Sequence, residues 1–436
     1  MQYIEQLLFV IVLGVAIYFF IKKVKQIRRN IFLGKDEIIN DQKAERWKVM
    51  AKVALGQSKM VVRPVAGFFH ILIYIGFVLI NIEVLEILID GVAGTHRSLS
   101  FLGSIYNTAI GFFEILAVLV LIACVVFLAR RFIVKIPRFH SPEMKGWATK
   151  DATYILVIEI VLMVALLKMN AVDQLLQVRG ADHYIAAGSF PVSQYLTGFF
   201  SNYDTSTLIV LERVFWWFHI LGILFFLNYV PYSKHLHIFL AFPNTWYSRL
   251  SPSGEFQNMP EITNEVNMML DPSKADPNMP PPEKFGVNDV TDLSWKNLLD
   301  AYSCTECGRC TSSCPANITG KKLSPRKIMM DTRDRAGVYI TIIICSFHFE
   351  SHETIFHISH KLAIFIVCNF SIVHPQSSYR NLFVWSYVSV KYILITLACM
   401  KCSCRNIDSA KWLWVKPRSS SLNTNQFSIV THSTTD

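Results

Sequence analysis

The chain has 436 residues, of which 52% are hydrophobic and only 17% charged, with a formal net charge of +10 and ten cysteines. This excludes both an ordinary soluble domain and a disordered chain and requires long apolar segments. The cysteines show no secreted disulfide pattern, and the basic excess flanks apolar segments, so it signals membrane orientation and not a nucleic-acid partner.

Five segments have spanning length, roughly Ile4–Ile21, Val65–Ile89, Ile105–Ala129, Tyr154–Met169 and Leu208–Val230. Each satisfies its backbone as a helix across a hydrocarbon core of about 30 Å. The first has neither a basic n-region nor a small-residue cleavage site and reads as a retained helix. The fourth is short and ends beside Lys168, which can snorkel. Residues Lys22 to Arg63 hold twelve Lys and Arg, and Arg130 to Lys150 hold six, whereas the opposite loops hold only Arg97 and Arg179. The positive-inside rule therefore puts the N-terminus outside and everything after Pro231 in the cytoplasm. Charges within the spans include Glu114, Glu159, Glu212 and Arg213. Glu212 and Arg213 are adjacent and point in different directions, so each is expected to pair with another helix.

Three histidines lie in or beside the spans. His70 is near the cytoplasmic start of the second. His219 and His237 are eighteen residues apart, five turns of a helix, so they share a face about 27 Å apart along the axis. They are too distant for one metal ion, but each suits a haem at its own depth. His235, two residues from His237, is expected to face elsewhere. The alternative for each histidine is a hydrogen bond to a neighbouring helix.

Residues 258–286 are rich in Pro, Asn, Asp and Met and read as a semi-extended linker. A helix follows, with Thr291 or Asp292 as cap and Trp295, Leu298, Leu299 and Tyr302 on one face. It delivers Cys304, Cys307, Cys310 and Cys314 with Pro315, in the order C-x2-C-x2-C-x3-C-P. This run binds iron–sulfur clusters, the last cysteine usually serving a second cluster; zinc more often takes two separated Cys pairs. Ser324 caps, and Pro325 opens, a further helix to about Arg335. The expected fold is all-α: a five-helix transmembrane bundle followed by a small α-helical ferredoxin-like module in the cytoplasm.

The stretches Gly67-Phe68-Phe69-His70-Ile71, Phe218-His219-Ile220 and His237-Ile238 resemble the b-type cytochrome gamma subunit of respiratory nitrate reductase, over roughly residues 1–245. The resemblance implies haem b held by His70 and His237. The family's second histidine falls at Ile80 here, which leaves His219 without its partner. The order of the whole chain resembles membrane-bound iron–sulfur oxidoreductases related to heterodisulfide reductase. That resemblance implies two [4Fe-4S] clusters, a second cysteine run, quinone, and a cytoplasmic iron–sulfur or flavin oxidoreductase as partner.

The second run is absent. Residues 336–436 hold four acidic residues, one glycine (Gly337) and fifteen serines, with Cys399, Cys402 and Cys404 at the wrong spacing. This tail reads as an out-of-frame continuation, or else as a sixth span at Leu382–Met400. The expected parts are thus a cytochrome-b-like domain at 1–245, a linker at 246–287, a truncated cluster module at 288–335 with one cluster, and the anomalous tail. Two functions remain at this point: a membrane electron-transfer subunit, or a membrane-anchored iron–sulfur sensor or scaffold without turnover.

Overall fold

The computed structural model describes residues 2–339, apart from 253–254, 256–258, 281–283 and 285. What the sequence suggests for residues 340–436, including the sixth span and Cys399, Cys402 and Cys404, lies outside the described residues. The described residues are helical and contain no strand; one isolated parallel bridge joins Lys35 to Ser294.

Among the described residues, five helices are long and apolar enough to cross a membrane: α1 (Gln2–Ile31), α3 (Pro64–Ala93), α4 (Ser104–Phe132), α5 (Trp147–Val178) and α6 (Thr205–Tyr229). Between α1 and α3 lies the short α2 (Lys43–Met50). α4 packs between α3 and α5, α5 packs on α6, and α1 leans on α3 and α6. The core holds Phe9, Ile80, Ile110, Val120, Leu166 and Ile220. Outward faces stay apolar, as with Leu7, Ile11 and Phe19 on α1, which suits lipid and not water. The chain is a membrane protein.

α5 is the longest of the five, at 32 residues, not the shortest. Its last turns carry Asn170 and Asp173, which break the apolar run in sequence. Both side chains face inward and are buried, and there they close a polar network. Asp173 accepts from Arg97 Nε at 2.7 Å and bonds His96 Nε2 at 3.0 Å. Arg97 also donates to Asn170 Oδ1 at 3.1 Å and to Tyr106 at 3.0 Å. Asn170 donates to Glu114 Oε1 at 3.1 Å, and Glu114 accepts the backbone N–H groups of Val192 and Ser193. Buried charges in a membrane are tolerated when paired in this way. Glu212 and Arg213 do not seek other helices as partners for each other's charge. Their long side chains curl together, Arg213 Nε to Glu212 Oε2 at 2.6 Å, and Tyr184 also donates to that carboxylate.

α6 stops at Tyr229, and turns at Val230–Tyr232 and Lys234–Leu236 precede α7 (His237–Trp246). Pro231 lacks the N–H that would continue the helix, so His219 and His237 do not share one continuous helical face. The expected linker also contains a helix, α8 (Pro260–Leu270), opened by Pro260 and ended at Asp271, with Asn264 on the helix bonding the backbone of Asp276 beyond it. α9 (Trp295–Tyr302) is capped by Ser294, not Thr291 or Asp292. Those two residues lie in their own turn, capped by Asp289. After the short α10 (Arg309–Ser312) and α11 (Pro315–Ile318), α12 spans residues 325–339. Ala336, where the anomalous tail was expected to start, is fully buried against the side chains around Val290 and Leu298.

Candidate functional site

The cysteine run folds as a tight turn followed by two short helices. Glu306 and Gly308 both take left-handed backbone conformations, with φ of 56° and 73°. At Gly308 a Cβ would also lie 2.9 Å from Arg326 Nη1, so glycine is required there. These reversals turn backbone N–H groups toward sulfur: Glu306 N–H lies 3.4 Å from Cys304 Sγ. Cys314 precedes Pro315 at the start of α11, where the missing N–H does no harm. All four thiols are free and Cys310 is exposed. Burial pushes the Cys304 thiol up. At Cys307 burial acts the same way, but the Arg309 backbone N–H, Thr305 and the Arg309 charge outweigh it and hold that thiol below its usual range.

Among the described residues, no three His, Cys, Asp or Glu side chains are close enough to hold a single metal ion. A cubane differs from a lone ion in giving each thiolate its own iron. Four free thiols on a reversing turn, with N–H groups aimed at sulfur and cations nearby, form a donor set that fits such a cluster.

The turn is pressed onto the bundle by every loop of one side. Arg309 donates to the Lys59 carbonyl and Arg63 to Ser312. Trp295 stacks on Phe32 and donates to the Glu37 carbonyl at 2.8 Å. Asn30 donates to Tyr302 at 2.8 Å. Arg326, 1% exposed, fills the gap to the α4–α5 loop, bonding Glu143, Ser141 and the Arg138 carbonyl. Glu306 is buried between two cations, Lys234 Nζ and Arg333 Nη2, the latter at 3.0 Å.

Lys234 opens the turn that leads to His237. The His237 Nδ1 lies 3.0 Å from the Lys234 carbonyl. A carbonyl only accepts, so Nδ1 carries the proton and Nε2 keeps its lone pair in the neutral ring, the arrangement common for a ligating histidine. Burial lowers the His237 pKa, which favours that neutral form. His70 stands opposite, with a ring centroid 6.3 Å from that of His237. Its helix start is fixed by Gly67, where a Cβ would meet the Met60 carbonyl at 2.6 Å. At this separation the two rings would together supply two imidazole nitrogen donors to one haem iron. His70 Nδ1 has no hydrogen-bond partner. The pair fits an iron held between two neutral imidazoles.

The other histidines fall differently. His219 is buried on α6, its Nδ1 is unpartnered, and Ile80, the position of its missing partner, is a core residue. His235 does not face elsewhere: its ring lies 5.7 Å from that of His237 and 5.2 Å from Phe226, because it belongs to a turn and not to a regular helix. Burial, then His237 and His70, push its pKa down to about 3, so it adds a neutral ring to the pocket.

Sequence reasoning missed Lys234, Glu306, Arg326 and Arg333. Glu306 lay inside the motif as one of its variable positions, and its partners are distant in sequence. Also missed was a cavity of about 400 Å³ at the opposite end of the bundle, lined by Asp90, Asp182, His183, Arg213, Trp216 and Trp217 among others.

No protein-family model matches the chain, and no solved structure matches it. It is 31% identical over 328 residues to "Probable iron-sulfur-binding oxidoreductase FadF" of Bacillus subtilis, covering 75% of this chain and 42% of that protein. It is 29% identical over 300 residues to "EtfAB:quinone oxidoreductase" of Syntrophomonas wolfei, covering 67% of this chain and 38% of that one. A 47-residue stretch is 41% identical to "Probable membrane-anchored ferredoxin" of Chromohalobacter salexigens, 11% of this chain and 7% of that protein. The chain thus spans about two fifths of the length of the two relatives it matches at length. The likenesses to nitrate reductase gamma and to heterodisulfide reductase stay resemblances, while these relatives support an iron–sulfur oxidoreductase family for the chain.

Proposed function

We propose that the chain is a membrane electron-transfer subunit working between the quinone pool and a cytoplasmic iron–sulfur or flavin oxidoreductase. Cys304, Cys307 and Cys310, with Cys314, would hold a [4Fe-4S] cluster, and His70 with His237 would hold haem b. Bound there, these groups supply one-electron redox chemistry; the protein supplies ligands, spacing and a low dielectric. His237 keeps its Nδ1 proton on the Lys234 carbonyl and leaves Nε2 for iron. Glu306 ties Lys234, which leads to the histidine pocket, to Arg333 beside the cysteine turn. The observation that carries the reading is that both ligand sets converge on one short segment, Lys234 to His237, with the 6.3 Å histidine spacing. Quinone enters through one relative's name, and the aromatic cavity with His183 and Arg213 suits its ring and carbonyl groups. Orientation with the cysteine turn in the cytoplasm follows from the basic loops that hold it.

The test is reduced-minus-oxidised absorbance of membranes carrying His70→Ala or His237→Ala. Each should abolish a b-type band that His219→Ala retains. Unchanged bands in both ligand variants would sink the assignment.

A further inference from the structure

Lys234 makes four contacts that reach two sites at once. Its ammonium pairs with Glu306 and donates to the Ala148 carbonyl at 2.7 Å. Its backbone N–H donates to Asp151 Oδ2 at 3.0 Å, and its carbonyl accepts a hydrogen bond from His237 Nδ1. Asp151 is itself buried and bonded to Tyr229 at 2.6 Å, so the far end of this clamp is anchored in α5 and α6. On the other side Glu306, held by Lys234 and Arg333, sits at positive φ inside the cysteine run and places its N–H on Cys304 Sγ. A left-handed backbone at a non-glycine residue costs about 1–2 kcal/mol and persists only where surroundings enforce it. Here the buried carboxylate of that same residue is held by Lys234 and Arg333.

From these contacts we infer that Lys234 is the positioning residue shared by both candidate redox sites, fixing the Cys304–Cys307 turn through its side chain and the His237 ring through its main chain. The inference rests on the proposed function only for what the two sites bind; the coupling belongs to the polypeptide. Removing the ammonium therefore loosens the turn and the ring together, whereas removing a docking contact elsewhere does not.

The full chain, purified in detergent and stripped of metal, tests this directly. Maleimide labelling of Cys304 and Cys307 and diethyl pyrocarbonate labelling of His237 are followed residue by residue. In Lys234→Met both rates should rise about tenfold, as local opening becomes easier. Lys234→Arg, which keeps the charge, should stay near wild type, and Glu306→Gln should raise both rates. Arg63→Gln, which loses only the Ser312 contact, should leave His237 unchanged. In the loaded protein Lys234→Met should also shift both the b-type band and the electron paramagnetic resonance spectrum of the cluster. Faster labelling of the cysteines alone in Lys234→Met, or an equal response in Arg63→Gln, overturns the proposal. Wild-type membranes with no b-type band would instead overturn the function proposed above, leaving the labelling result to stand by itself.

Discussion

Glu306 carries the heaviest constraint of any single residue near the cysteines. Burial pushes its carboxyl up, but Lys234 and Arg333 outweigh that and hold it below its ordinary value of 4.5. The folded form therefore binds protons more weakly than the unfolded form. Its contribution to stability is complete above pH 4.5 and is lost as pH falls through the lowered folded value. Glu143, paired with buried Arg326 and also held low, acts in the same direction. Metal-free protein should consequently show an acid-dependent release of residues 288–339 from the bundle below about pH 4.5, read by limited proteolysis. Glu306→Gln should make that acid step shallower and weaken docking at pH 7. A variant with an unchanged acid profile would argue against the ion triad. Gly308→Ala should be harmful for a separate reason, since the left-handed φ costs about 1–2 kcal/mol and Arg326 must move; iron retained per chain is the measure.

At the scale of elements, the spans were legible because about 18 or more apolar residues leave few alternatives, and the basic loops that put His70 and His237 at the same end made their proximity an expectation, which the 6.3 Å between their rings matches. α5 was misjudged because Asn170 and Asp173 look like a helix end in sequence, whereas Arg97 and His96 from the α3–α4 loop receive them inside the bundle. The pairing of Glu212 with Arg213 was hidden because side-chain length overrides the divergence of adjacent Cβ directions. The eighteen-residue arithmetic for His219 and His237 assumed a helix that Pro231 does not allow. In the polar network, removing one member leaves the other as an unpaired buried charge, which typically costs about 3–5 kcal/mol. Arg97→Met should therefore destabilise the bundle strongly, and Arg97→Met with Asp173→Leu should recover much of the loss, as read by thermal unfolding in detergent. Equal stability of the single variant and wild type would show that the network contributes little.

Over the whole described molecule, one end of the bundle and the cysteine segment are built as a unit. Contacts run from residues 30, 37, 59, 63, 143 and 234 to a segment about 70 to 270 residues away in sequence. The cysteine run and the histidines stand out in the sequence as candidate ligands; long-range ion pairs such as Lys234 with Glu306 leave no local pattern. The chain matches about two fifths of its relatives' length. The central claim is a haem site and a single cubane joined in one membrane subunit. Iron, haem and zinc analysis of the detergent-purified chain, combined with optical and electron paramagnetic resonance redox titration, tests it most directly. The expected result is about four non-haem irons per chain together with a b-type band that a quinol analogue reduces. Stoichiometric zinc at the cysteines, or the absence of any quinol-reducible b-type band, would contradict it.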